Sequence, residues 1–135
     1  MNYISLNGKL QPGNKPALLV SNRGYRYGDG LFETMKLVDG KIQLETFHFE
    51  RLYSGLSLLK FGIPSHFTTA HLREEIMQLY KKNKSGALSR VRLSVYRGNG
   101  GLYDEEKNLE YVIESWPLEA SMNKLISFAG AWLDR

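Results

Sequence analysis

Arg51 is the residue of this sequence whose setting most strongly indicates chemistry. It lies in a segment whose apolar residues recur at helical spacing, so its guanidinium emerges beside an apolar stripe. A guanidinium can bind a phosphate through two parallel hydrogen bonds. It can equally extend to solvent or pair with a carboxylate such as Glu33 or Glu45. The helix pattern alone therefore predicts either an anion site or a structural ion pair at Arg51.

Arg90 and Arg92 form a second group of cations. They stand two residues apart in an alternating segment that is typical of a strand, so both side chains are expected on one face. Like charges side by side repel each other unless an anion lies between them, which favours a site for a carboxylate. The alternative is a pair of solvent-facing arginines at the edge of a sheet, and the pattern leaves both open.

A glycine-rich bend, Gly28-Asp29-Gly30, separates Tyr27 from Phe32. Glycine tolerates backbone angles that side chains forbid, and Asp29 can accept hydrogen bonds from the amides of its own turn. We expect the bend to bring the two aromatic side chains to one side. They are then either core aromatics on a hairpin or the wall of a pocket.

Composition excludes several other kinds of chemistry. The 135 residues include no cysteine, which removes disulfides, thiolate catalysis and sulfur-ligated metals. We expect His48 to be a structural histidine bonded to the backbone. His66 and His71 have no acidic or cysteine partner at ligand spacing, so no metal site is predicted.

Charge and hydropathy are those of an ordinary soluble domain. The net charge of +4 is scattered along the chain apart from residues 81–84, which we interpret as a solvated helix end. No apolar run approaches the roughly 20 residues that a membrane span needs. We therefore expect a cytoplasmic protein that binds a small molecule and contacts neither a membrane nor nucleic acid.

The elements that would position these residues follow from turn signals and periodicity. Asn7-Gly8 and Asp39-Gly40 each predict a tight turn between two strands, and Thr68 or Thr69 is a candidate helix cap. The order of elements predicts an α+β fold, a small two-layer domain of antiparallel strands packed on two helices. Periodicity places the helices at residues 45–60 and 69–82, and further strands at residues 32–38, 41–44, 89–96 and 110–116.

Two segments in this order, residues 23–34 and residues 48–52, closely resemble the amino-terminal signature of the fold-type IV pyridoxal phosphate enzymes. These are the class IV aminotransferases and the aminodeoxychorismate lyases. The resemblance implies pyridoxal 5′-phosphate as the cofactor, with Arg51 of the His-x-x-Arg-Leu motif binding its phosphate. It also implies that the substrate is bounded by Tyr27, Phe32, Arg90 and Arg92.

The same resemblance implies that the catalytic lysine lies outside this chain. In the family this lysine belongs to a second, larger domain, and neither Lys36, Lys60 nor Lys124 has a matching context. We therefore expect residues 1–120 to be the amino-terminal small domain of such an enzyme and residues 121–135 to be the start of a linker or a divergent tail. No catalytic residue is predicted here, the chain alone is expected to be inactive, and the enzyme is expected to be a homodimer.

Several functions remain open at this point. The loop that begins Arg97-Gly98 resembles that of the lyases, which release pyruvate from aminodeoxychorismate, whereas the pair of Arg90 and Arg92 favours transamination of a carboxylated amino acid. A noncatalytic module would instead stack single-stranded nucleic acid on Tyr25, Tyr27 and Tyr96. A remnant interaction domain is the third alternative.

Overall fold

A computed structural model describes residues 2–98 and 109–118. Those residues form one antiparallel sheet and three helices, so the predicted α+β fold is confirmed. The elements follow one another as β1 Tyr3–Leu6, β2 Lys9–Pro12, α1 Arg23–Tyr27, β3 Gly30–Val38, β4 Lys41–Ile42, α2 Glu45–Leu58, α3 Thr69–Lys82, β5 Leu88–Arg97 and β6 Leu109–Pro117. The predicted linker or tail, residues 121–135, lies outside the described residues.

The sheet has the strand order β2-β1-β6-β5-β3-β4, and all neighbours run antiparallel. Its long central strands alternate buried and more exposed residues, so the sheet has one covered face and one open face. Helices α2 and α3 pack on the covered face. The shared core includes Met35, Leu37, Leu52, Leu56, Leu72, Ile76, Leu79, Val91, Leu93 and Ile113.

Both predicted tight turns are present. Asn7 and Gly8 have φ angles of 50° and 86°, and Asp39 and Gly40 have φ angles of 48° and 75°. Two successive residues with positive φ are what a type I′ turn requires, and such a turn matches the twist of the strands it joins. The first turn joins β1 to β2 and the second joins β3 to β4.

The two predicted helices are confirmed, with one correction at an end. Helix α3 has the predicted bounds, and its cap is Thr68, whose hydroxyl accepts from His71 N at 3.2 Å. Helix α2 ends at Leu58, two residues before the predicted end. Lys60 takes a φ of 60° there, and Phe61 N donates to Leu56 O at 2.9 Å, which closes the helix as a Schellman motif.

A third, short helix replaces the predicted hairpin bend before Phe32. Asn22 caps α1 by accepting from Tyr25 N at 3.1 Å, and Gly28 ends it with a φ of 63°. Tyr27 therefore lies at the end of a helix and is 41% exposed, so it is not a core aromatic on a hairpin. Five residues are too few to show helical periodicity, which is why the sequence pattern did not predict this element.

Candidate functional site

Arg51 forms an ion pair with a buried carboxylate on the sheet. Its Nε lies 2.8 Å from Oε1 and 3.2 Å from Oε2 of Glu33. Glu33 lies on the covered face of β3, and its side chain is only 6% exposed, whereas the Arg51 side chain remains 42% exposed. The structural ion pair considered from sequence thus exists, and it holds Arg51 between the apolar core and solvent.

His48 completes this group from one turn earlier in α2. Its Nδ1 lies 3.5 Å from Glu33 Oε1, and within the described residues this buried nitrogen has no shorter polar contact. Burial by itself raises the pKa of Glu33, but hydrogen bonding and charge from His48 and Arg51 outweigh it and hold that pKa below its usual value. Glu33 is therefore ionised at neutral pH. The expected backbone bond of the His48 ring is replaced by this contact.

The Arg51 group holds an oriented cation at the boundary between core and solvent. Glu33 engages Nε from the protein side and orients the guanidinium plane, while the exposed part of the side chain lies with its Cζ 5.8 Å from the centre of the Phe47 ring. A planar cation that is held at a boundary in this way can donate two parallel hydrogen bonds to an anion. The residues present therefore fit the phosphate of the predicted cofactor.

Phe32 and Arg92 meet on the open face of the sheet. They belong to the neighbouring strands β3 and β5, and Arg92 Cζ lies 4.0 Å from the centre of the Phe32 ring. Arg92 Nε also donates to Ser94 Oγ at 3.4 Å. Phe32 is 55% exposed, so the open face of the sheet carries a cation stacked on an exposed aromatic ring.

Arg90 lies on the same face as Arg92, as the spacing predicts, but it stacks on a different ring. Its Cζ is 5.1 Å from the centre of the Trp116 ring on β6, and Lys36 stands opposite it on β3. Arg90 Nε is buried and has no hydrogen-bond partner among the described residues. The structure brings Phe32 and Arg92 together and gives Arg90 separate surroundings.

The two groups of predicted site residues lie on opposite faces of β3. Glu33 faces α2 and Arg51, whereas Phe32 faces the open side and Arg92. Strand β4 pairs with β3 only at Leu37 and Val38, so the first part of β3 forms the edge of the sheet there. A ligand that extends around that edge can contact both groups.

Several aromatic and charged residues differ from their predicted surroundings. Tyr96 is 6% exposed, so it cannot stack a nucleic-acid base, and burial with the charge of Glu110 raises the pKa of Tyr96 to about 12. Asp29 does not bond the amides of its own turn. Its carboxylate accepts from Arg23 and from Arg97, which is 68 residues away, and no local signal in the sequence indicates that pairing.

The described residues contain neither a cluster of metal ligands nor a helix that could span a membrane. Within residues 2–98 and 109–118, no three His, Cys, Asp or Glu side chains lie close enough together to hold a metal ion. Of the helices in that part of the chain, none has the length and hydropathy of a membrane span.

Comparison with known proteins decides the family. A family model described as amino-transferase class IV matches residues 30–129. The chain belongs to the class IV aminotransferases. The resemblance found in the sequence is thereby confirmed, and pyridoxal 5′-phosphate, the predicted cofactor, is the cofactor of this family.

The curated relatives of this class IV aminotransferase chain include D-alanine aminotransferases. The one from Bacillus licheniformis is 29% identical over 100 residues, which cover 74% of this chain and 30% of the relative. That from Listeria monocytogenes serotype 1/2a (strain 10403S) is 30% identical over 95 residues, covering 70% of this chain and 32% of the relative. The chain thus spans about a third of the length of these relatives.

Solved structures of branched-chain amino acid aminotransferases share the fold. The Escherichia coli enzyme superposes with a TM-score of 0.77 at 19% identity, over 88% of this chain and 40% of that one. The enzyme from the archaeon Thermoproteus uzoniensis, solved with norvaline, superposes with a TM-score of 0.74 at 18% identity, over 87% and 41%. At these identities the likeness establishes the fold of the domain.

Proposed function

We propose that residues 1–120 are the small domain of a pyridoxal phosphate-dependent amino acid aminotransferase, in which Arg51 binds the cofactor phosphate. The observation that carries the proposal is the Arg51–Glu33 pair, because a buried carboxylate fixes a guanidinium whose side chain remains 42% exposed. A cation at the boundary of the core is stabilised by an anion on its outer side. The cofactor, when bound, supplies an electron sink for chemistry at the amino-bearing carbon.

In this proposal the substrate lies against the open face near the edge of β3. Arg92 binds a substrate carboxylate, and Phe32 orients that guanidinium by stacking beneath it at 4.0 Å. Tyr27, at the exposed end of α1, bounds the pocket beside Phe32. Arg90 contributes positive charge from the same face of β5, where it stacks on Trp116 two residues along the strand from Arg92.

The environment of the described lysines supports a catalytic lysine outside residues 2–98 and 109–118. In the described residues every lysine except Lys36 is exposed, and Lys36 lies on the open face of β3, opposite to the face that Arg51 contacts. A lysine that bonds covalently to the cofactor works best when its ammonium is desolvated, and an exposed lysine is not. We propose that the lysine belongs to a second domain, that residues 121–135 lead towards it, and that this chain alone is inactive.

Amino acid transamination is favoured over aminodeoxychorismate lysis by the position of Arg97. That residue carried the resemblance to the lyase loop, but its guanidinium is 12% exposed and bonds Asp29 and Leu59 O within the domain. The guanidinium of Arg97 therefore has a structural role within the domain. The exposed cation of Arg92 on the Phe32 ring, together with relatives named as D-alanine aminotransferases, supports an amino acid as the substrate.

A homodimer is the proposed assembly. The segment before α1 and α1 itself present Leu18, Leu19, Val20 and Tyr25 with 47%, 64%, 71% and 73% exposure. Apolar residues that cluster on a surface in this way mark a site of contact with another surface. We propose that a second copy of the chain covers it.

The experiment that tests the function is a substrate comparison in the full-length protein. Purified protein loaded with pyridoxal 5′-phosphate is incubated with D- and L-amino acids and a 2-oxo acid acceptor, and in parallel with aminodeoxychorismate. We expect amino transfer with an amino acid and no release of pyruvate from aminodeoxychorismate. Pyruvate release without amino transfer would contradict the proposal, and an Arg92→Ala variant should raise KM for the amino acid.

A further inference from the structure

A buried ion cluster lies where β3 begins, apart from the residues assigned to cofactor and substrate. It consists of Arg23, Asp29 and Arg97, and we call it the Asp29 cluster. Asp29 Oδ2 accepts from Arg23 Nε at 2.9 Å, and Asp29 Oδ1 accepts from Arg97 Nη1 at 2.5 Å. The three side chains are between 11% and 17% exposed. One carboxylate therefore compensates two guanidiniums that are largely shielded from water.

Backbone hydrogen bonds join the same residues. Arg97 N donates to Asp29 O at 3.0 Å, Asp29 N donates to Arg23 O at 3.3 Å, and Arg23 N donates to Gly98 O at 3.0 Å. Arg97 Nη2 also donates to the carbonyl of Leu59, the residue that follows α2, at 2.5 Å. The Asp29 cluster thus ties α1, the start of β3, the end of β5 and the end of α2 to one another.

The cluster also reaches an aromatic residue of the proposed substrate pocket. Arg23 Cζ lies 5.8 Å from the centre of the Tyr27 ring, so the guanidinium that Asp29 orients is the one against which Tyr27 packs. Helix α1 lies close to the sheet at Gly24, where an added Cβ would be only 2.6 Å from Cβ of Tyr96. The absence of a side chain at Gly24 therefore allows this close packing. Tyr27 is therefore placed by Arg23 and by the helix that Asp29 anchors.

We propose that Asp29 is a positioning residue for the substrate side of the site, acting through Arg23 on Tyr27 and through the start of β3 on Phe32. The inference rests on the proposed function. Without the carboxylate, two largely shielded guanidiniums lose the anion that they share, and this loss weakens the link between α1, the start of β3 and the end of β5. Arg51 is held separately by Glu33 on the covered face, so cofactor affinity does not depend on Asp29.

The test compares Asp29→Asn with Arg26→Ala in the full-length protein. Arg26 is an exposed arginine in the last turn of α1, three residues before Asp29, so its removal controls for a change of charge near the cluster that leaves the cluster's own contacts in place. We expect Asp29→Asn to raise KM for the amino acid about ten- to a hundredfold, the range that displacement of a positioning group produces. The dissociation constant of pyridoxal 5′-phosphate should stay within about twofold of wild type, and Arg26→Ala should change neither quantity.

Hydrogen exchange gives a readout that does not depend on activity. In Asp29→Asn the amides of Arg23 and Arg97 should exchange faster, while those of α3 remain protected. Arg97→Lys is the second variant and replaces Asp29→Asn in the test if Asp29→Asn does not fold. Lysine keeps a charge beside Asp29 but cannot bridge to Leu59 O, so Arg97→Lys should show the same rise in KM.

Two results would overturn the inference. One is an Asp29→Asn protein that folds and keeps the wild-type KM for the amino acid. The other is an Asp29→Asn protein in which KM and the dissociation constant of pyridoxal 5′-phosphate rise by the same factor. A wild-type protein that binds cofactor but transfers no amino group would instead refute the proposed function. In that case unchanged exchange at Arg23 and Arg97 in Asp29→Asn would still refute the role of Asp29 in holding α1.

Discussion

Glu33 Oε1 lies 2.8 Å from Nε of Arg51, and this contact joins the sheet to the helix that carries the proposed phosphate ligand. The carboxylate is almost entirely buried and the guanidinium is not, so the pair has an inner and an outer side. The contact with Glu33 is made at Nε, and it fixes the orientation of the guanidinium plane that a bidentate contact with an anion needs. Structural and functional roles of Arg51 are therefore compatible.

The first prediction concerns Glu33→Gln. In the folded protein the pKa of the Glu33 carboxyl is held below its ordinary value of 4.5. The ionised carboxylate therefore contributes stability that is present above pH 4.5 and is lost as the pH falls through the folded-state pKa. We expect the variant to be less stable than wild type by about 1–3 kcal/mol at neutral pH, since the bonds it loses are to charged partners. The difference should shrink as pH falls below 4.5.

Urea unfolding at a series of pH values measures this difference. Glu50→Gln is the matched control, because Glu50 is an exposed carboxylate on the same helix as Arg51. A stability difference between wild type and Glu33→Gln that is the same at neutral and acidic pH would show that ionisation of Glu33 does not stabilise the fold.

The second prediction concerns Tyr111→Phe. The hydroxyl of Tyr111 on β6 donates to the buried carboxylate of Glu75 on α3, at 2.5 Å to Oε1 and 3.0 Å to Oε2. Burial, with the bond and charge of Glu75, raises the pKa of Tyr111 well above its usual value, so the hydroxyl keeps its proton. Loss of this donor from a buried acceptor should lower the free energy of unfolding by about 1–3 kcal/mol.

Denaturant unfolding compares this variant with Tyr25→Phe, in which the removed hydroxyl belongs to a side chain that is 73% exposed. The control should lie within about 0.5 kcal/mol of wild type. Equal stability of the two variants would mean that the link between Tyr111 and Glu75 contributes nothing.

The third prediction distinguishes two glycines of the same bend. A Cβ on Gly30 would lie 2.4 Å from the carbonyl oxygen of Val95, so β3 would have to move away from β5. Gly28 has open space around it, and its φ of 63° makes alanine unfavourable by about 1–2 kcal/mol. We expect Gly30→Ala to reduce the free energy of unfolding by more than Gly28→Ala does. The reverse order in thermal or denaturant unfolding would contradict the packing of β3 on β5.

The fourth prediction concerns association. Because Leu18, Leu19, Val20 and Tyr25 form an exposed apolar surface, the chain should self-associate at roughly tens of micromolar, the range of a weak interface. Leu19→Lys should weaken the association, and Lys9→Ala, a change at an exposed residue of β2, should not. Sedimentation velocity measures both. A strict monomer of the unaltered chain at those concentrations would contradict the proposal.

Local signals were sufficient for much of the fold. The dipeptides at residues 7–8 and 39–40 have the positive φ angles that their turns require, and the cap of α3 is Thr68, one of the two threonines that the sequence offers. These features depend on residues that are close in sequence. The end of α2 was placed two residues late because Lys60 adopts a left-handed conformation without being a glycine.

Contacts between distant segments could not be predicted in the same way. Glu33 and Glu45 were equal candidates for Arg51 in the sequence, and the fold assigns Glu45 to Arg73 and Glu33 to Arg51. That choice depends on which face of β3 meets α2, which is fixed by the register of β3 with β5. The same is true of Asp29, because its partner Arg97 is the last residue of β5 and lies 68 residues away in the sequence.

The central claim is that Arg51 binds the phosphate of pyridoxal 5′-phosphate, and its most direct test is the cofactor dissociation constant of Arg51→Ala in the full-length protein. Arg73→Ala is the control, because Arg73 is an exposed arginine whose ion pair is with Glu45. Pyridoxal, which lacks the phosphate, is the second ligand. Both ligands are titrated against each variant by absorbance.

A bidentate charged contact contributes about 1.5–3 kcal/mol, so Arg51→Ala should weaken binding of pyridoxal 5′-phosphate by roughly ten- to a hundredfold. Binding of pyridoxal should be unchanged by Arg51→Ala, and Arg73→Ala should leave both ligands unaffected. Unchanged affinity of Arg51→Ala for pyridoxal 5′-phosphate, or an equal loss for both ligands, would contradict the assignment of Arg51 to the phosphate.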